Sequence, residues 1–321
     1  MEQLLNRDNA LIVGAGRVGE RFANALVAQN FPTAIYDIVP EKALALSRRL
    51  GTLHADNLDA AMDQSQVVYI CSPISQHFES ASKAVEAEKA VFCEKPLTSK
   101  LHEALDLQKI VHQKATPFIV GNYYRLNSSI LALKHAIEQG EIGQVIAINA
   151  IYLHDMRSLN EETPWREEEG FWYDGTVHPV DLACWIADER VEKVQAVSGI
   201  KIDSHPHPTD IRLNLQFASG LLANIWANAR AILPEHGAEI FILGTKGTMR
   251  AFNKNEFYEI YNYGQGDFVR VLTPQGALPI DRTVTIVQDF IAGRSDNYYP
   301  LPGIDEAVES IRILDWAQRV F

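Results

Sequence analysis

The sequence predicts an α/β chain in two parts. Residues 1–121 should form a doubly wound parallel sheet, and residues 122–321 an α+β part with a mostly antiparallel sheet. Three observations carry this. Short apolar runs alternate with helical patterns through the first third. A glycine-rich turn follows the first of those runs. After about residue 122 longer strand-like segments follow one another with few helices between them. Strand–helix alternation implies parallel strands covered on both faces, and right-handed crossovers then wind the sheet both ways.

Ala10 to Val13 is the first strand, and residues 17–29 carry Val18, Phe22, Leu26 and Val27 at helical spacing. Thr33 to Asp37 is the second strand. Pro40 suits a first helical turn and opens a helix to about Leu50. Val67 to Ile70 and Ala90 to Cys93 are continuous apolar strands, and Phe118 to Val120 is a shorter one. Residues 75–88 and 99–113 read as helices between them.

In the second part a helix over 128–139 ends at Gly140. Strands are expected at 144–153, 192–201, 210–218, 221–229, 238–243 and 247–252, with a tight turn at Phe217 to Leu221. Helices are expected at 176–187, 283–292 and 304–320, the last able to pack back on the first part. The run Ser204 to Pro208, with His205 and His207, reads as a plain loop, and no metal site is expected.

Composition narrows the function classes. Hydrophobic residues make up 47% and charged residues 22%, as in an ordinary globular protein. A formal net charge of −12 argues against nucleic acid or an anionic membrane as partner. No stretch reaches the ~20 apolar residues a bilayer span needs. The polar start and the widely spaced Cys71, Cys93 and Cys184 point to a cytoplasmic protein with reduced thiols.

Gly14-Ala15-Gly16-Arg17-Val18-Gly19 sits between a strand and a helix, the context in which G-x-G-x-x-G binds a dinucleotide. Gly14 allows the tight turn, Gly16 lets a pyrophosphate approach, and Gly19 lets helix and strand pack. The helix amino terminus then offers N–H groups and partial positive charge. Asp37 ends the second strand, where a carboxylate would bind the adenosine ribose and repel a 2′-phosphate. NAD is therefore expected over NADP. Asp37 can equally cap the following helix, and the two roles can coexist.

Cys93-Glu94-Lys95-Pro96 places a lysine at the carboxyl end of a buried strand, the ligand-binding edge of an open α/β sheet. Ser72, Pro73 and His77 follow another strand at the same edge, although His77 also reads as a surface helix residue. In the second part Asp174 and His178 are four apart, so on a helix or at its first turn they share a face. A carboxylate beside an imidazole suits proton transfer near neutral pH. Pro179 puts His178 near the helix start. An amino-terminal cap with a half-buried histidine is the alternative. Arg125, Tyr152, His154 and Trp165 are candidate substrate contacts, and Tyr152 or Trp165 can also be core.

Taken together these residues resemble the glucose–fructose oxidoreductase / inositol dehydrogenase (Gfo/Idh/MocA) family, nearly end to end. The glycine turn, Glu94-Lys95-Pro96 and Asp174 with His178 match its pattern. So do Pro73 with His77, Asn122 to Arg125, and Ile242 to Gly247. Thr176 stands where many members have glycine, and Gly170 is what remains of a glycine run. The resemblance implies a Rossmann domain holding NAD(P), with Glu94 and Lys95 beside the cofactor. It also implies a second domain with a large open sheet that serves homodimer or homotetramer contacts, and a Lys95–Pro96 bond that is often cis. The implied activity is hydride transfer between nicotinamide and a secondary alcohol of a sugar or cyclitol, with Lys95, Asp174 and His178 catalytic. The alternatives are a glycosidase that oxidises its sugar transiently, a dinucleotide sensor without turnover, and a tetrapyrrole reductase.

Overall fold

The computed structural model describes residues 9–156, 171–199, 208–264, 266–274, 276, 278–294 and 300–319. Trp165, Gly170, His205 and His207 lie outside the described residues. The chain divides into two compact units. One comprises Met1–Tyr123 with Ala277–Val308, and the other Tyr124–Gly276 with Glu309–Phe321. The sequence boundary at 121/122 falls close to the break after Tyr123. The sequence reading lets the C-terminal helix 304–320 pack back on the first part; the segment assigned to the first unit is 277–308, which begins earlier and ends at Val308.

The first unit is built on β1 (Ala10–Val13), β2 (Thr33–Tyr36), β3 (Leu53–His54), β4 (Val67–Ile70), β5 (Ala90–Cys93) and β6 (Phe118–Val120). All pairings are parallel, in the order β3-β2-β1-β4-β5-β6. Its helices are α1 (Arg17–Ala28), α2 (Pro40–Leu50), α3 (Leu58–Asp63), α4 (His77–Glu86) and α5 (Leu101–Lys114). Under α1, Phe22 meets Phe92 and Tyr69 at ring-centroid distances of 4.8 and 5.6 Å. The expected helix at 75–88 is a short 3-10 turn, Ile74–Gln76, running into α4. β3 and α3 were not foreseen. β3 has two residues, too few for a pattern, and α3 is a single capped turn and a half, held by Asn57 accepting from Ala60 N–H at 2.9 Å.

The second unit opens with α6 (Ser128–Glu138) and β7 (Val145–Leu153), followed later by α7 (Val177–Ala187). Then come β8 (Val191–Ser198), β9 (Asp210–Phe217), β10 (Leu222–Asn228), β11 (Gly237–Gly244), β12 (Gly247–Phe252), β13 (Phe257–Asn262) and β14 (Val269–Leu272). The eight-stranded sheet runs β14-β13-β12-β11-β7-β10-β9-β8. Every pairing is antiparallel except β7 with β10, which run parallel and so bring their carboxyl ends together. Ile148, Ala150 and Tyr152 of β7 are buried beneath α7, and the residues between them are more exposed. β13 and β14 were not foreseen, and β14 has no buried residue to mark it.

Beyond the second sheet, α8 (Pro279–Ile291) returns to pack on α1 in the first unit. It begins earlier than the sequence reading at 283, with Pro279 in its first turn. α9 (Ile304–Gln318) follows, and the division between units falls within it, after Val308. Among the described residues no helix is long and apolar enough to cross a membrane.

Candidate active site

Parallel strands put the turns after β1, β2, β4 and β5 on one edge of the first sheet. Gly14 has φ +106°, and a Cβ there would come within 2.8 Å of the Cys71 and Ser72 backbone. At Gly19 a Cβ would fall 1.8 Å from the Gly14 carbonyl oxygen, so only glycine lets α1 start this close to β1. At Gly16 a Cβ would meet nothing within 4 Å. Gly16 and Arg17 are exposed and Val18 half-buried, and no side chain caps α1. The N–H groups of the first turn thus face an open approach, the arrangement a pyrophosphate requires.

Asp37 ties this turn to β2. Its Oδ2 accepts from Ala15 N–H at 2.7 Å and its Oδ1 from Val39 N–H at 2.8 Å. Val39 is the cap residue of α2, so the carboxylate does steady that helix start, from two residues upstream. Each carboxylate oxygen keeps a lone pair for a ribose hydroxyl.

His77 is buried, 2% exposed, which corrects the surface reading. Its Nδ1 lies 2.9 Å from the Pro96 carbonyl and its Nε2 2.9 Å from the Ser72 carbonyl. The ring therefore links the turns after β4 and β5. Burial lowers its pKa, the two carbonyls pull upward, and the charge of Lys95 adds to the lowering. Pro73 is exposed and Ser72 half-buried beside it.

Glu94 is buried and its Oε2 accepts from Lys95 N–H at 3.2 Å. Gly121 makes room for it, since a Cβ there would lie 3.0 Å from Oε1 and 2.9 Å from the Phe92 ring. Lys95 is half-buried, and its peptide bond to Pro96 is cis. Burial, with the Glu94 charge next, pushes the Cys71 and Cys93 thiols up. Both are free cysteines and, as neutral thiols, poor nucleophiles.

In the second unit, residues 171–174 are helical, a turn at 175–176 intervenes, and α7 starts at Val177. His178 is thus the second residue of a helix, as Pro179 requires, and Asp174 ends the preceding helical turn. A Cβ at Gly175 would come within 2.0 Å of the Phe171 ring, so the turn needs glycine. Asp174 and His178 are 7% and 4% exposed. The segment is anchored by Trp172 Nε1–H donating to the Leu314 carbonyl at 3.1 Å and Tyr173 O–H to Gln318 Oε1 at 3.1 Å. Burial pushes the Tyr173 phenol up to about 12, so it stays a donor. Thr176 is fully buried.

Aromatic rings surround His178. Tyr124 meets it edge-on at 4.5 Å and Tyr152 at 4.9 Å. Tyr152 continues to Phe171 at 6.1 Å and to His154 at 6.0 Å, and His154 stacks on His236 at 5.2 Å. Tyr152 and His154 are therefore brought together with His178. Arg125 is placed elsewhere. Its Nε and Nη2 donate to Asp181 at 2.8 and 2.6 Å in a pair that is 2% and 1% exposed. It supports α7 from beneath, one turn beyond His178. Sequence reading missed Tyr124, Phe171 and His236. Tyr124 lay within a quoted segment, and nothing around His236 distinguishes it from a loop histidine.

Comparison with known proteins agrees with this construction. Residues 9–122 match the model of an oxidoreductase family with an NAD-binding Rossmann fold, and residues 130–250 match the GFO/IDH/MocA C-terminal domain. Inositol 2-dehydrogenase of Rhizobium meliloti (strain 1021) is 28% identical over 255 residues, covering 76% of this chain and 75% of that protein. A 2,7-anhydro-N-acetylneuraminate hydratase of Escherichia coli (strain K12) is 25% identical over 250 residues, 74% of this chain and 66% of that one. Among solved structures, levoglucosan dehydrogenase in complex with NADH and levoglucosan superposes with a TM-score of 0.86 at 22% identity, over 97% of this chain and 96% of that one. Both halves of the chain thus answer to the two halves of one family, and it belongs to the Gfo/Idh/MocA oxidoreductases, with an NAD(P)-binding Rossmann domain.

Proposed function

We propose that the protein is an NAD-dependent dehydrogenase that moves a hydride between nicotinamide and a secondary alcohol of a sugar, cyclitol or sugar derivative. The observation that carries this is Lys95. It stands just beyond β5, on the sheet edge that holds the Gly14–Gly19 turn, with Glu94 and His77 fixing its backbone surroundings.

Gly14, Gly16, Arg17, Val18 and Gly19 would hold the pyrophosphate, Asp37 the adenosine ribose, and Ser72, Pro73 and Glu94 the nicotinamide end, with His77 shaping that edge. NAD supplies the hydride acceptor when bound. The anionic Asp37 favours NAD over NADP. His178 acts as general base on the substrate hydroxyl, and Asp174 tunes and orients it or binds a neighbouring hydroxyl. Lys95 donates a hydrogen bond to the oxygen as negative charge develops. Tyr152 and His154 are substrate contacts; Arg125 positions α7. The relatives' printed activities support a sugar or inositol substrate; cytoplasmic residence, for which the widely spaced cysteines outside any disulfide speak, and assembly as a homodimer or homotetramer, for which the family resemblance speaks, belong to the same proposal.

The test is absorbance at the NADH band with NAD or NADP and a panel of sugars and inositols. Lys95→Ala should lower turnover at least ~100-fold, the scale of losing one electrostatic stabiliser. Near-normal turnover would sink the assignment. A second reading is favoured by the relative whose name is hydratase: the substrate is oxidised transiently and re-reduced, so the reaction is redox-neutral overall. Product formation without release of NADH would select it.

A further inference from the structure

The turn at the start of the second unit holds a ring against the proposed base. Tyr124 lies in a 3-10 turn, Tyr123–Leu126, and is half-buried. The next residue locks that turn to α7. Arg125 forks onto Asp181 at 2.8 and 2.6 Å, and its guanidinium lies 5.4 Å from the Trp185 ring of the same helix. On the other side Asn127 donates to the Tyr124 carbonyl, from its backbone N–H at 3.1 Å and from Nδ2 at 3.0 Å. Contacts of its neighbours and its own carbonyl thus fix Tyr124 beside the helix that carries His178.

The Tyr124 and His178 rings stand at 89° with centroids 4.5 Å apart. Aromatic pairs lie about 4.5–7 Å apart, so this one is at the short end. In a perpendicular pair the ring that supplies the edge sets the separation. The five-membered imidazole reaches less far from its centre than a phenol does, so the edge is that of His178 and the face that of Tyr124. Tyr152 closes on the same imidazole at 4.9 Å and 44°, and meets Tyr124 at 5.9 Å. Asp174 ends the helical turn before His178, Asp181 on the same helix is engaged by Arg125, and His154 lies beyond Tyr152 on β7. β10 and β11, which α7 also contacts, bury only apolar residues, Ala227 and Ala238 among them.

General-base action creates a cation at this ring. The substrate O–H bond breaks and an imidazole N–H bond forms, while the hydride leaves carbon for NAD and a ketone remains. His178 is 4% exposed, so water does little for that charge. An aromatic face within about 6 Å of a cation does more. We infer that Tyr124 is a positioning residue for the proposed base: its ring face holds the imidazole edge and stabilises the imidazolium that forms in the reaction. The ring carries this role, and the phenol hydroxyl does not. The inference rests on His178 being the general base of the dehydrogenase reading.

The test keeps the shape of the ring and changes its electrons. Position 124 carries tyrosine, phenylalanine or pentafluorophenylalanine, whose face is electron-poor, and Tyr124→Leu removes the ring. One readout is the nuclear magnetic resonance titration of the His178 ring in the full chain with NAD and no substrate, assigned by its loss in His178→Gln. The other is the pH profile of kcat/KM over the panel of sugars and inositols. Tyr124→Phe should match wild type in both. Pentafluorophenylalanine should move the titration midpoint, and with it the acid limb of kcat/KM, to lower pH by about 0.5–1.5, the worth of a cation–π contact. It should lower kcat by up to about 30-fold on the same scale, with KM little changed, because the ring touches the base and not the substrate. A midpoint that is the same for the phenyl and pentafluorophenyl rings, or that moves to higher pH, overturns the inference. An equal loss in Tyr124→Phe would assign the effect to the hydroxyl, also against it. A lowered midpoint with no NADH from any probe would keep the ring contact and reject the dehydrogenase. NADH formation with an unmoved midpoint would do the reverse. If Tyr124→Leu does not fold, the two rings of equal shape still decide.

Discussion

His77 shows how a single buried ring ties together the turns that flank the proposed catalytic lysine. Its two nitrogens face two carbonyl oxygens, those of Pro96 and Ser72, yet a neutral imidazole has only one N–H to give. Burial outweighs the pull of the carbonyls and sets its pKa below the ordinary 6.5. The unfolded chain therefore takes up this proton at a higher pH than the native protein does. The stability that His77 contributes is complete above about 6.5 and is lost as pH falls through 6.5 toward the lower native value. Thermal unfolding at pH 8 and pH 5 checks this: wild type should lose more midpoint between the two than His77→Asn, and equal losses would remove the histidine from the account. Asp37 makes a second prediction at this scale. Because it accepts from Ala15 and Val39 N–H and is proposed to bind the ribose, Asp37→Ser should weaken both cofactors, and NAD more than NADP. Titration of each cofactor measures the ratio, and an unchanged ratio would leave Asp37 only its backbone bonds.

α7 carries His178 but has almost no polar face, and Arg125 forks onto its buried charge Asp181. Asp181→Asn leaves that guanidinium buried without its carboxylate. A loss of roughly 3–5 kcal/mol is expected for breaking such a pair, partly regained in the double variant Arg125→Met/Asp181→Leu. Denaturant midpoints of wild type, Asp181→Asn and the double variant measure it; a loss under ~1 kcal/mol, the level of a surface pair, would show that water reaches the site. The same helix shows what sequence can disclose. Its start was legible because Pro179 permits few places in a helix, and the glycine turn and Lys95 were legible because each is a local pattern next to an apolar strand. Arg125 pairs with a residue 56 positions away, and Trp172 with one 142 away, so spacing alone carries no trace of either. Arg125 therefore read as a substrate contact. β14 was missed because its residues stay exposed and show no alternation of burial, and α8 was started late because Pro279 was not read as its first turn.

The first unit is not continuous in sequence, and this has an energetic consequence for the molecule. Ile280, Val284 and Val287 of α8 are 5%, 0% and 2% exposed, and α8 packs on α1, the helix that begins at the nucleotide turn. Gln29 at the end of α1 donates to the Asp281 carbonyl at 3.1 Å, and Val120 N–H on the edge strand β6 donates to the Pro302 carbonyl at 2.9 Å. Burying three such aliphatic side chains is worth about 5–9 kcal/mol in total. Whole domains are stable by only about 5–15 kcal/mol. A fragment ending at Tyr123 keeps the entire parallel sheet and every residue proposed to hold the cofactor, yet lacks α8. It should show no cooperative unfolding transition, and NAD should not raise its unfolding temperature. In the full chain, NAD at a hundred times its Kd should stabilise the folded state by about 2.7 kcal/mol. Circular dichroism melts of both proteins with and without NAD decide the matter. A fragment that melts cooperatively and responds to NAD would mean that the return of residues 277–308 covers the first sheet without being needed to hold it.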